Sequence, residues 1–561
     1  MLVTLLAVAA WAAPLDDLLV QSLAEANKAL AAEPEKVHYV ALAVTDVSQI
    51  EVVAREGTIA RSDRDDRRVL DVDLRVGDAH RDSTHELRGF SSMKGDGRGE
   101  VLLPLGPVTD PAVAFALRHA VARELDARYR SAAEQIVVIR SNQQVKVEEE
   151  DPSDDFEPRA TATVDRLVVP ALVFDPVAWE PAAIALSKRL EADARVDQAA
   201  VSITAARTEK TFVDTEGARL VHGRVAARLA IQLSAVADDG DVVNVFRSVD
   251  VHDPQKLPDV ATVTAWADQA VADLVALQAA PRATPYTGPV LLSGRASAVF
   301  FHEVFGHRVE AHRQKRAEEG RTFADYVGQT ITAPFIDVVD DPTVEMLAGE
   351  DLNGFYVYDD EGTKSARASL IDDGVFRGFL TQRSPIQGFA TSNGHGRRLA
   401  GNAPVARMGN TIVTTSQALP MAQLRARLVA EAKAEKLPYA IYVDDIEGGF
   451  TLTGRVEPNA FNVRASRAWK VFVDGRPDQL VRGIDLVGTP LVAFRQIVAA
   501  GDTPEVFNGY CGAESGWVPV SGVAPALLFK RLEFQLKEKG QDRPPLLPRP
   551  STIRNGSAEA R

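Results

Sequence analysis

Two histidines and a glutamate fall within six residues in the segment Phe300-Phe301-His302-Glu303-Val304-Phe305-Gly306-His307. Neutral imidazole nitrogens can hold a divalent metal, and a carboxylate beside them can take a proton from water, which is what metal-assisted peptide hydrolysis needs. Histidines four apart share a helix face, whereas positions 302 and 307 lie five apart and about 140° around an ideal α-helix. A π-bulge, with its i to i+5 bonding, would bring both rings to one side, and Gly306 lies where that distortion would fall. Without it the pair reads as two unrelated histidines on an amphipathic helix. His312 continues the five-residue step, but ten residues of helix rise about 15 Å, too far for two imidazoles on one ion. It is read as exposed or as standing behind the ligands, and a third ligand has to come from elsewhere.

Cys511 is the only cysteine, so an intramolecular disulfide is excluded. A metal ligand, an intermolecular bridge and an inert buried thiol all stay open on that fact alone. Its setting, Asn508-Gly509-Tyr510-Cys511-Gly512-Ala513-Glu514-Ser515-Gly516, suggests a Gly-flanked thiol on a turn. A thiolate so placed can approach a metal closely. His302, His307 and Cys511 together would leave a fourth coordination position for water.

The elements that must position these residues form an α+β pattern in two domains. At 561 residues the chain exceeds what one hydrophobic core usually serves. Helical spacing over 14–32, strands at 38–54 and 69–76, and an amphipathic helix over 111–135 come first. The acidic run 148–157 reads as a solvated loop. A helix over 177–190, strands at 199–205, 221–236 and 242–249, and a helix over 262–279 complete an N-terminal domain, 13–281. Pro281, Pro285, Gly288 and Pro289 punctuate the chain and mark the boundary. Beyond it, 282–540 reads as a strand-rich C-terminal domain carrying the metal-binding helix, expected over 295–319, and a further helix over 421–435. The Pro-containing end, 541–561, reads as a disordered tail.

Composition narrows the partners. With 63 basic against 78 acidic residues the net charge is -15, the wrong sign for neutralising phosphates, so nucleic acid is not expected. Residues 2–13 form an apolar run that ends in small residues, and Ala10-Trp11-Ala12 fits a signal-peptidase site, which points to a signal peptide over 1–12 and export to the periplasm or beyond; without it the chain would be cytoplasmic. No other run reaches the length of unbroken apolar sequence that a membrane span requires, so none is expected.

The His302–His307 segment, with Gly509-Tyr510-Cys511-Gly512 and Val518-Pro519-Val520-Ser521-Gly522, resembles the metal-bearing TldD half of the TldD/PmbA metallopeptidases. Further stretches that carry the likeness are Asp359-Asp360-Glu361-Gly362-Thr363, Asn393-Gly394-His395-Gly396-Arg397-Arg398, the run 404–411 and Gly448-Gly449, within about residues 290–535. The resemblance implies an HExxxH zinc peptidase with His302, His307 and Cys511 as ligands and Glu303 as general base, acting on small or unfolded polypeptides. It also implies two-lobed subunits paired as a homodimer, or with a homologous subunit, around an enclosed cavity. The alternative in that family is a non-catalytic, cavity-forming partner subunit. Asp359 to Glu361 could be a polar turn and Arg397-Arg398 a surface ion pair, while His395 could stand behind the ligands or touch substrate.

Overall fold

The computed structural model describes residues 14–87, 99–143, 151–316, 318–455 and 461–537. The expected leader, residues 148–150 of the acidic run and the expected tail lie outside the described residues.

The protein is mixed α+β and rich in strand. Its strands divide into a seven-stranded sheet drawn from residues 37–251 and a twelve-stranded sheet drawn from residues 286–536. Two long antiparallel hairpins, Val37–Arg55 with Thr58–Val76 and Gln198–Asp214 with Arg219–Val236, make the centre of the first sheet. The second strand starts eleven residues before the expected Val69 because residues 60–66 are exposed on both faces and show no alternation. Two helices, Leu15–Leu30 and Pro111–Gln143, bury Leu19, Leu117 and Ile139 against one part of this sheet. Pro176–Leu190 and Val260–Ala279 bury Leu186, Val263 and Leu274 against another. The last helix is long and apolar enough to cross a membrane by length and composition, which the sequence reading did not anticipate. Here its Val263, Ala267, Ala270 and Leu274 lie in the core, while Asp268 and Asp273 pair with Arg189 and Arg247.

The second sheet is organised by its final strand, Gly516–Leu536. That strand pairs antiparallel with Ile497–Ala513, Ile484–Gly488 and Tyr286–Leu292, and parallel with Asn410–Thr415. Tyr286–Leu292 contains Gly288 and Pro289, so half of the expected linker is strand. The helix Gly294–Val304 is enclosed by this sheet and packs on the last hairpin and on Tyr439–Thr451. It stops fifteen residues short of the expected Glu319, and tight turns replace the rest.

Candidate metal centre

Ser293 caps the helix Gly294–Val304, its hydroxyl accepting the Ala296 amide at 3.1 Å. Phe300, Phe301 and Phe305 are fully buried and anchor it against Phe494 and Phe529, with ring separations of 5.1 to 5.7 Å. The Phe305 amide still bonds the Phe301 carbonyl at 3.0 Å, and the Arg308 amide then bonds the Phe305 carbonyl at 2.9 Å. That three-residue step tightens the chain into a 3-10 turn over Gly306–Val309. The expected distortion between Glu303 and His307 is thus a helix end with a change of pitch, in place of a π-bulge. It brings the His302 and His307 rings to 5.1 Å between centroids, at 82° to each other. Gly306 also serves differently from expectation: a Cβ there would come within 1.9 Å of Met408 Sδ, so close packing requires the glycine.

Cys511 lies in strand Ile497–Ala513, opposite Val518, and not on the expected turn, which follows at Glu514-Ser515. Its Sγ stands 3.2 Å from His302 Nε2 and 3.3 Å from His307 Nε2. One ligand atom from each of the three residues lies within 4.8 Å of the other two, the one such group among the described residues. All three side chains are buried. Burial alone would raise the Cys511 thiol, but the facing His307 and His302 hold it well below its ordinary value. Burial likewise opposes charge on the imidazoles, and Cys511 outweighs it, raising His302 and, with help from Glu310, raising His307 strongly.

The donor set fits zinc. Bonds of about 2.3 Å to sulfur and about 2.0–2.1 Å to nitrogen at a tetrahedral angle separate sulfur from nitrogen by about 3.5 Å, a few tenths of an ångström more than the 3.2 and 3.3 Å between Cys511 Sγ and the two imidazole nitrogens. Two imidazoles and a thiolate also match zinc's preference for nitrogen and sulfur. Glu303 stands outside this group, buried, with Gly449 against it: a Cβ at 449 would approach Glu303 Cγ to 2.9 Å.

The description "PmbA/TldA metallopeptidase C-terminal domain" matches residues 285–536, which span the helix, the 3-10 turn and Cys511. Residues 285–536 thus form a domain of the TldD/PmbA family. It is 26% identical over 244 residues to a "Metalloprotease" of Archaeoglobus fulgidus, covering 43% of this chain and 51% of that protein. It is 29% identical over 244 residues to a "Metalloprotease TldD homolog" of Haemophilus influenzae, covering 43% and 46%. The chain thus spans about half the length of these curated relatives. The crystal structure of TldE from Thermococcus kodakarensis superposes with a TM-score of 0.59 at 14% identity, covering 92% of this chain and 99% of that one, a likeness of fold.

The other motif residues lie elsewhere. His312 is buried, not exposed, and bonds Glu514 Oε1 at 2.8 Å through Nε2. His395 is fully buried between Asn393 and Asp340, outside the donor group. Arg397 donates to the Met408 and Pro519 carbonyls, and Arg398 reaches Asp73 of the first sheet at 2.9 Å, so neither belongs to a surface ion pair. Asp359 and Glu361 are buried in a turn, where burial first raises both carboxyls, while Asp360 pairs with Lys210. The acidic run is not all solvated either, since Asp151 and Asp155 are buried.

Sequence reasoning missed two buried residues behind His307 and Cys511. Glu310 accepts from His307 Nδ1 at 3.2 Å, and its i, i+3 spacing could have revealed it. Arg407 donates to the Cys511 carbonyl at 2.7 Å, and no local spacing points to it.

Proposed function

We propose that this chain is a zinc-dependent peptidase that hydrolyses peptide bonds in small or unfolded polypeptides. The observation that carries the reading is the convergence of His302, His307 and Cys511 on one buried point, with Glu303 directly following a ligand in the chain. The names of the curated relatives support the reaction class.

His302 Nε2, His307 Nε2 and Cys511 Sγ would hold the ion. When bound there, zinc supplies a Lewis acid that polarises the scissile carbonyl and makes a water molecule easier to deprotonate. Glu303 takes the proton from the attacking water as the carbon–oxygen bond forms, and returns it to the departing amine as the carbon–nitrogen bond breaks. Its burial shields the carboxylate from bulk water, and the lack of a Cβ at Gly449 leaves space for its side chain. A partner is part of the proposal: a second copy or a homologous subunit would complete an enclosed cavity.

The test is turnover of an unstructured peptide before and after chelation. Activity is expected to vanish with the metal and return with zinc. Glu303→Gln is expected to lower turnover by ~10² to 10⁴ while zinc content stays near one per chain, because an amide cannot accept the proton. Near-normal turnover by Glu303→Gln would refute the mechanism.

A further inference from the structure

We infer that Glu310 and Arg407 are positioning residues that preset His307 and Cys511 for the metal. The inference rests on the proposed function and adds to it a second layer of the same site. Both side chains are fully buried. The Glu310 carboxylate accepts from His307 Nδ1 at 3.2 Å and from Arg313 Nε at 3.0 Å. A proton held on Nδ1 leaves the lone pair on Nε2, the nitrogen that faces Cys511. Glu310 thus selects the tautomer that can ligate.

Arg407 ties this arrangement to the other ligand. One of its terminal nitrogens donates to the Cys511 carbonyl at 2.7 Å, and the other donates to Ser515 Oγ at 2.9 Å and the Gly516 carbonyl at 3.1 Å. Its Nε faces Glu310 Oε1 at 3.4 Å, and neither atom has a hydrogen-bond partner among the described residues. A buried charge without its counterpart is costly, so each holds the other in place. One guanidinium therefore spans the carboxylate behind His307 and the strand end that carries Cys511. A second tie runs parallel to it: Glu514, in the turn after Cys511, accepts from Arg313 at 3.2 Å and bonds His312 at 2.8 Å. The two ligand-bearing segments, 204 residues apart in sequence, are strapped together by side chains, and Glu310 meets its ligand ring at Nδ1, not at the Nε2 that would bind the ion.

The test compares Glu310→Gln and Arg407→Lys with the unaltered full-length chain, by zinc competition against a chromophoric chelator and by the absorption spectrum of the cobalt(II)-substituted protein. Zinc affinity is expected to fall roughly 10- to 100-fold in each variant. The cobalt bands, including the thiolate charge-transfer band, are expected to shift, and the melting temperature of the metal-free protein is expected to fall as well, because Glu310→Gln leaves buried guanidinium groups short of a partner. A merely structural role would lower the melting temperature and leave the cobalt spectrum of the folded protein unaltered. Folded variants that bind zinc within about threefold of the parent, with its cobalt spectrum, would overturn the inference and leave the proposed function standing. Failure of both variants to fold even with zinc would also overturn it, because the pair would then belong to the core of the fold. If the unaltered chain binds no zinc, the proposed function itself falls, and this inference with it.

Discussion

His302 and His307 present the same nitrogen to Cys511, at 3.2 and 3.3 Å, yet they arrive by different local structures. The cysteine is the pivot of the group, because neither histidine depends on the other for its approach to Sγ. Replacing Sγ by a hydroxyl keeps the volume nearly constant and removes the soft anionic donor. Cys511→Ser is therefore expected to lose most bound zinc and to keep its fold, which elemental analysis and circular dichroism would show together. Undiminished zinc in a folded Cys511→Ser protein would remove Cys511 from the site. At this scale the sequence is informative about groups with unusual chemistry, a lone thiol and a close His-Glu-His set, and silent about what holds them. Arg407 lies 104 residues from the Cys511 carbonyl it supports, and nothing in residue type or spacing announces such a bond.

The helix Gly294–Val304 shows why element boundaries are harder to read than elements. Apolar spacing and the Ser293 cap make its start legible. Its end is set by tertiary packing: Gly306 meets Met408, which arrives from a segment a hundred residues later. The same limit hides the early part of Thr58–Val76, whose charged, exposed residues carry no period. Cys511 shows it again, because Gly509 and Gly512 suggest a turn where the register gives strand. Packing at Gly306 yields a prediction. Gly306→Ala would drive a methyl into Met408, and overpacking of this kind costs about 1–3 kcal/mol. Zinc affinity should fall as well, since the strain lies between His302 and His307. Met408→Ala removes the atoms in the way, so the double variant should be more stable than the sum of the single changes requires. Additive losses in denaturant unfolding would show that the Gly306–Met408 contact does not define the helix end.

Across the whole molecule, buried and half-buried charge pairs help to join the two sheets, beside an apolar cluster of Tyr39, Phe212 and Tyr358, and no local pattern in the sequence displays the pairs. Arg398 pairs with Asp73, Lys210 with Asp360, and Arg383 with Glu216 and the Tyr39 hydroxyl. Gly362 fits this contact because its φ of 74° favours glycine and a Cβ there would strike Phe212 at 2.6 Å. The α+β class and the split into an earlier and a later set of strands are legible from element order, whereas the joint is not, since its charged residues look like surface. His222 is buried in this joint, cross-strand from Lys210 and edge-on to Tyr358 at 5.7 Å. Burial, reinforced by the Lys210 charge, lowers its pKa from 6.5 to about 4. The sign follows from proton uptake. Between those pH values the unfolded chain binds a proton that the folded one refuses, so acid favours unfolding. Stability is fully present above pH 6.5, declines as pH falls, and this contribution is exhausted near pH 4, where the folded imidazole also protonates. A shift of that size corresponds to a loss on the order of 3 kcal/mol across the window. His222→Gln cannot titrate, so its unfolding free energy should fall less steeply with acid than that of the parent. Denaturant unfolding of both chelated proteins from pH 7.5 to 4 measures the difference, which other histidines common to both cannot produce. Parallel curves across that range would show that His222 is not held neutral at the joint.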